Sequence, residues 1–330
     1  MIPAAAPRPI GLVEERGSLL PRNFADRLLE AVRAKGNPLC VGIDPVYDRL
    51  PAELREERNP GEEAAAAALV EFGRRIIRVV APLVPAVKIN SAFFERYDGH
   101  GVRGYYELVR EAAHQELIVI GDVKRGDVGH SAEQYARACL ADPVGSDPKG
   151  RAAPDAITVN PYFGWDGVRP FVDVARQQQK GIFLLVRTSN PSAGEFQHLA
   201  TAGGQTVADH VADRVRSWAS QAGLLGEAGY SCVGAVVSTR DLEEARRLRT
   251  QLDRSIFLIP GYGAQGMGVE AVAALFNEDG TGAVVNASRS IIYAHQDADS
   301  AEEEAGRWER VVEQACKKTI EELAHHCQRT

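Results

Sequence analysis

Leu117-Ile118-Val119-Ile120-Gly121-Asp122-Val123-Lys124-Arg125-Gly126-Asp127 passes from a wholly apolar run straight into an acid, a base and a second acid. The apolar half reads as a buried strand, and the charges mark where that strand reaches the protein surface. Residues two apart on a strand point the same way, so Asp122 and Lys124 are expected on one face, with Gly126 turning the backbone before Asp127. A lysine held between carboxylates stays protonated, which suits a proton donor. Alone, Asp-x-Lys-x-x-Asp reads as a surface ion pair at a strand end. Its surroundings change that reading.

Short runs rich in Val, Ile and Leu recur along the chain at 39–44, 86–90, 117–124, 156–160, 182–188, 232–238, 256–261 and 283–288. Amphipathic or Ala-rich segments separate them, predicting helices over 62–80, 102–114, 131–140, 167–178, 207–222, 241–252, 268–276 and 301–325. Such alternation builds β-α units around a parallel sheet, and eight strands are the number that closes a (β/α)8 TIM barrel. A helix over 24–35 is expected to cap the barrel bottom, so the chain divides into an N-terminal extension with its capping helix, 1–35, and one barrel domain, 36–330. A doubly wound open sheet would place a glycine-rich fingerprint after its first strand. Here that strand ends Gly42-Ile43-Asp44-Pro45. Residues 141–154 read as an inserted surface loop and 223–230 as a short connector.

Composition removes several classes of function. The chain has 330 residues, 45% of them hydrophobic, enough to bury a large core. Asp and Glu number 45 against 38 Lys and Arg, and a net charge of -7 offers no footprint to nucleic acid or an anionic membrane. A small-molecule partner is expected. Cys40, Cys139, Cys232, Cys316 and Cys327 form no Cys-x-x-Cys pair and no regular spacing. That fits reduced, mostly buried thiols of a cytoplasmic protein, with no disulfide framework and no zinc site. Residues 1–22 lack a basic segment followed by a long apolar run, so no signal peptide is expected, and nothing approaches a membrane span.

Every expected strand ends in a residue able to do chemistry: Asp44, Lys88 with Asn90, Asp122 with Lys124, Asn160, Ser189, Ser238, Gln265 and Arg289. Active sites of this fold lie at the C-terminal strand ends, which is where these residues collect. Pro260-Gly261-Tyr262-Gly263-Ala264-Gln265-Gly266 is glycine-rich, and Asn286-Ala287-Ser288-Arg289-Ser290 is expected to open a helix. Loops after strands seven and eight of such barrels often bind phosphate through backbone N–H groups and a helix N-terminus. Arg289 adds a planar donor fork matched to phosphate oxygens. Glycines also serve ordinary turns, but their place on these strands favours phosphate.

Together these residues resemble the orotidine 5′-phosphate decarboxylase family. Asp122, Lys124 and Asp127 match its Asp-x-Lys-x-x-Asp signature, and Val87-Lys88-Ile89-Asn90 is similar to its strand-two lysine segment. Gly42-Ile43-Asp44-Pro45, Thr188-Ser189-Asn190-Pro191, the Pro-Gly…Gln-Gly loop and Ser288-Arg289-Ser290 extend the likeness from Leu39 to about Ala294. Asn160-Pro161-Tyr162-Phe163-Gly164 and the 141–154 insertion resemble the longer bacterial branch. After Asp127 the family commonly has Ile-Pro/Gly-x-Thr; here Val128-Gly129-His130-Ser131 puts Ser131 in the threonine's place and keeps the hydroxyl. His130 reads as a loop or helix-start residue.

The resemblance implies a cytoplasmic homodimer that removes CO₂ from C6 of orotidine 5′-monophosphate in pyrimidine synthesis, with no metal and no organic cofactor. Lys88, Asp122, Lys124 and Asp127 would form its catalytic array, Asp127 reaching across the dimer interface. Lys124 would stabilise and protonate the C6 carbanion, with Asp122 beside the substrate carboxylate and Lys88 and Asp127 holding those two in place. Asp44 would bind ribose, Ser189 the pyrimidine edge, and Gln265 and Arg289 the phosphate. Asn90, Ser131, Gly266 and Ser288 would complete the substrate contacts. A metal-dependent sugar-phosphate decarboxylase or aldolase of the same suprafamily would instead resemble its relatives in an acid near the Lys88 position, where lysine disfavours a hard cation. A non-catalytic nucleotide-binding barrel could dispense with Lys124.

Overall fold

In the computed structural model, which describes residues 22–55, 60–143, 152–263, 269–296 and 307–327, eight parallel strands close in sequence order into a barrel. They are β1 Leu39–Ile43, β2 Ala86–Asn90, β3 Ile118–Arg125, β4 Ala156–Val159, β5 Gly181–Arg187, β6 Ser231–Val237, β7 Ser255–Ile259 and β8 Ala283–Ala287. The helices are α1 Phe24–Lys35, α2 Glu62–Val80, α3 Ala92–Glu95, α4 Asp98–His114, α5 Gly129–Cys139, α6 Trp165–Gln177, α7 Gly194–Gln197, α8 Val207–Ala219, α9 Leu242–Gln251, α10 Val269–Ala273, α11 Arg289–Ile292 and α12 Trp308–Cys327. The (β/α)8 barrel and its capping helix are as the sequence predicts. The short helices α3 and α7 are additions to it, and of the helix expected over 268–276 the described residues show Val269–Ala273.

Strands covered on both sides are predominantly apolar, and β1, β4, β6, β7 and β8 are buried at every residue. Helices cover them with one stripe each: on α2 the buried set is Ala65, Ala66, Leu69, Val70, Phe72, Gly73, Ile76, Ile77 and Val80, at three- and four-residue steps. A Cβ at Gly73 would lie 2.6 Å from Leu108 of α4, so the missing side chain sets how closely these two helices pack. Cys40, Cys139, Cys232 and Cys316 are buried, as expected. Among the described residues no helix is long and apolar enough to cross a membrane.

The capping helix closes the bottom through polar contacts to loops entering three strands. Asp26 accepts hydrogen bonds from the amides of Glu227 and Ala228, both 2.9 Å, and Arg27 pairs with Asp155 at 2.6 Å and donates to the Gln179 carbonyl. The Phe24 ring meets Phe183 edge-on at 5.9 Å, filling the space above Gly181. Arg249 belongs to the same end: its buried guanidinium donates to the carbonyls of Gly282, Leu252 and Ser255, tying the starts of β7 and β8 together.

Pairing between β3 and β4 is irregular at the top. Gly121 faces Ile157 and Arg125 faces Val159, so four steps on β3 oppose two on β4. The surplus is a bulge whose Lys124 has φ of 44°, left-handed and uncommon for a residue with a side chain. Simple alternation, the sequence expectation, is therefore not what brings Lys124 to Asp122. Gly126 has another task than a special turn: its φ is not left-handed, but a Cβ there would come within 3.0 Å of the Asn160 carbonyl.

Candidate active site

Register assembles the charged residues at the top of the barrel. Gly42, Lys88, Ile120 and Ala156 share one tier of β1 to β4, and Asn90 and Asp122 pair one tier higher. Lys88 is long enough to reach up to that tier. Its Nζ lies 2.8 Å from Asp122 Oδ2 and 3.6 Å from Asp44 Oδ1, while Lys124 Nζ lies 2.5 Å from Asp122 Oδ1. Charges thus alternate in the order Asp44, Lys88, Asp122, Lys124. Lys88 and Asp122 are only 5% and 7% exposed, whereas the Lys124 side chain is 51% exposed at the open end.

Burial alone would neutralise these groups; their neighbours prevent it. Desolvation pushes Lys88 down, but Asp122 and Asp44 outweigh it and hold the ammonium above the ordinary lysine value. Desolvation pushes Asp122 up, but Lys88 and Lys124 outweigh it and hold the carboxyl below the usual carboxylate range. Cys40, buried beneath, is pushed up to about 12 by desolvation and remains a thiol. The result is a buried, ionised pair with the Lys124 ammonium held beside it at the open end, suited to placing positive charge and a proton against a developing anion.

Around it, the expected substrate residues occupy distinct places. Asp44 follows β1, and Tyr293 pins that turn by donating its hydroxyl to the Asp44 carbonyl at 3.0 Å while accepting from the Val46 amide at 2.6 Å. The Asn90 side chain accepts from the Ala92 amide, and Ser131 is exposed on α5. Ser189 is exposed after β5, lining a cavity of about 580 Å³ with Thr188, Asn190, His198, Ser238 and Arg240. Asp44, Lys88, Asp122 and Lys124 are not among the residues lining this cavity.

On the far side Gly261 and Gly263 have φ of 81° and 79°, and Gly263 sits close against Ser290, so the β7 loop lies on the start of α11. Arg289, the first residue of α11, is exposed and makes no side-chain hydrogen bond or ion pair among the described residues. Ser288 precedes it and fills the space left by Gly42, where a Cβ would sit 1.8 Å from Ser288 Oγ. Gln265 and Gly266 lie outside the described residues.

Asp127 is the member of the expected array that the chain does not bring in. Its carboxylate accepts from the neighbouring Val128 amide at 2.7 Å and, among the described residues, makes no ion pair. His130, 97% exposed beside Glu133 at the start of α5, is the helix-start residue expected of it.

A profile of the orotidine 5′-phosphate decarboxylase / HUMPS family matches residues 37–304. The chain belongs to that family. Among relatives, the orotidine 5′-phosphate decarboxylase of Rhodopirellula baltica is 40% identical over 91% of this chain and 98% of its own length. That of Caldicellulosiruptor saccharolyticus is 39% identical over 83% and 90%. A solved Streptomyces avermitilis structure assigned to the same enzyme superposes with a TM-score of 0.74 at 30% identity, covering 96% of this chain and all of that one. The Leishmania donovani OMP decarboxylase gives 0.67 at 27%, covering 93% and 100%. The chain is accordingly a carboxy-lyase that converts orotidine 5′-monophosphate to uridine 5′-monophosphate in pyrimidine synthesis.

Two residues of the decarboxylase site escaped the sequence reading. Thr158, 1% exposed on β4, donates its hydroxyl to Asp122 Oδ1 at 2.9 Å and accepts from the Lys124 amide at 2.9 Å. A hydroxyl inside the apolar run Ala156-Ile157-Thr158-Val159 was the available signal. Tyr293 lies beyond the strand-eight motif, and no local pattern connects it with β1, 249 residues away.

Proposed function

We propose that Lys124 protonates C6 as CO₂ departs, with Lys88, Asp122 and Asp127 forming the rest of the catalytic array. The observation that carries this is the continuous charge alternation from Asp44 through Lys88 and Asp122 to the exposed Lys124 ammonium. The carbanion at C6 has little ring delocalisation, so catalysis rests on electrostatics and positioning. Asp122, held ionised, lies beside the departing carboxylate. The Lys88 ammonium occupies the space between Asp44 and Asp122, so no metal and no organic cofactor is needed there.

Binding is divided between the two sides of the barrel mouth. Asp44, whose Oδ1 has no hydrogen-bond partner among the described residues, takes a ribose hydroxyl. Ser189 takes the pyrimidine edge, and Arg289 with Gln265, Gly266 and Ser288 takes the phosphate, whose binding energy drives closure. Asn90 and Ser131 complete the contacts. Asp127 serves the neighbouring subunit of a homodimer, consistent with its making no ion pair among the described residues. The working unit is the decarboxylase domain 36–330 with the 1–35 segment, an N-terminal extension and its capping helix, in the cytoplasm.

The test is Lys124→Ala, followed by loss of orotidine 5′-monophosphate absorbance and by binding of uridine 5′-monophosphate, both with EDTA present. Turnover should collapse while product binding persists, and the parent should be indifferent to chelator. Equal losses of turnover and binding would make Lys124 structural, and chelator inhibition reversed by Mg²⁺ would remove the metal-free mechanism.

A further inference from the structure

The bulge on β3 leaves the Lys124 amide without a carbonyl opposite it in the ladder, because the pairing skips from Gly121–Ile157 to Arg125–Val159. Thr158 supplies the missing acceptor with its side chain: Oγ1 receives the Lys124 N–H at 2.9 Å. The same hydroxyl donates to Asp122 Oδ1, also at 2.9 Å. That carboxylate oxygen is the one that holds Lys124 Nζ at 2.5 Å. One buried hydroxyl therefore grips the backbone of the proton donor and the carboxylate that its ammonium rests on.

From this geometry we propose that Thr158 is a positioning residue for decarboxylation. It holds the β3 bulge in the left-handed turn at Lys124 and fixes the rotation of the Asp122 carboxylate, so that the Lys124 ammonium is delivered to one place before substrate arrives. The inference rests on the reading of Lys124 as proton donor. The carboxylate is then fixed by three donors, Lys88 on Oδ2 and Lys124 with Thr158 on Oδ1. Without the hydroxyl, the Lys124 amide has no acceptor at a backbone angle that L-residues avoid, and the turn relaxes. Asp122 keeps both lysines but not its orientation.

Thr158→Val keeps shape and volume and removes the hydroxyl; Thr158→Ser keeps the hydroxyl. In the full-length enzyme the valine variant should lose about 100-fold in kcat, the scale of a displaced catalytic group. Its uridine 5′-monophosphate affinity and its KM should stay within about threefold, since ribose and phosphate contacts are untouched. The serine variant should recover to within about threefold of the parent kcat. A residue that merely filled the core would leave kcat per folded molecule unaltered and the melting point unchanged or raised, since valine fills the same volume.

Unchanged kcat in Thr158→Val, parallel loss of product affinity, or failure of serine to rescue would each overturn the proposal. If the valine variant does not fold, Thr158→Ala set against Thr158→Ser makes the same comparison. Lys124→Ala run alongside separates the two levels: retained activity there sinks the reading of the array, whereas its collapse beside an unaffected Thr158→Val sinks only the role of Thr158.

Discussion

Replacing Lys88 by methionine keeps an unbranched side chain of similar length and removes the charge between Asp44 and Asp122. Asp122, 7% exposed, then loses its 2.8 Å partner and retains as its only cation the half-exposed Lys124. Removing one member of a buried pair costs about 3–5 kcal/mol, against a total domain stability of about 5–15 kcal/mol.

The sign of the pH dependence follows from the two shifts. In the parent, folding lowers the Asp122 carboxyl, so its contribution is present above about pH 4 and fades as pH falls toward the folded value. Folding raises Lys88, so its contribution is present below about pH 10 and is lost as pH rises through the folded value. Between those limits the pair is fully ionised. In Lys88→Met, burial, the largest influence on the Asp122 carboxyl, is opposed by Lys124 and should raise it, so that the folded variant should hold a proton that the unfolded chain has released. Its deficit should therefore grow above about pH 4, by about 1.4 kcal/mol for every unit by which that carboxyl is raised. Urea unfolding of parent and variant at intervals from pH 4 to pH 8, read by far-UV circular dichroism, measures it. A deficit below about 1 kcal/mol, or one that does not change with pH, would refute the account of the buried pair.

Arg289→Ala should weaken apparent substrate affinity by about 10- to 100-fold, the worth of a charge-assisted phosphate contact, with kcat at saturation much less affected. Added phosphite should speed turnover of a substrate lacking its phosphate; no phosphite effect would remove closure from the mechanism. Lys124→Ala and Asp127→Ala, each nearly inactive alone, should recover roughly a quarter of parent activity when refolded together, because random pairing makes about half the dimers hybrid with one intact site of two. No recovery would return Asp127 to its own subunit's site.

Much of this molecule is legible in the chain because parallel barrels repeat a simple rule: apolar strand, polar strand end, amphipathic helix. Phe24–Lys35 and Ala86–Asn90 are found where periodicity puts them, and Lys88, Asp122 and Lys124 meet because adjacent strands end side by side. What the chain hides is what depends on partners far apart in sequence. The bulge at Lys124 arises from a slipped register with β4, which no pattern within β3 encodes. Thr158 passes for an ordinary β-branched strand residue until its hydroxyl is seen against Asp122. Gly126 looks like a turn residue and is a clearance for Asn160.

The polar contacts of α1 and the three-carbonyl grip of Arg249 gather at the end of the barrel away from Lys124. That separation gives the molecule two mechanical ends with different freedoms. The lower end can be stiffened, or joined to another protein at α1, while the reacting groups stay where the strands hold them. Engineering for heat tolerance belongs there, and engineering for altered substrates belongs to the loops at the other rim.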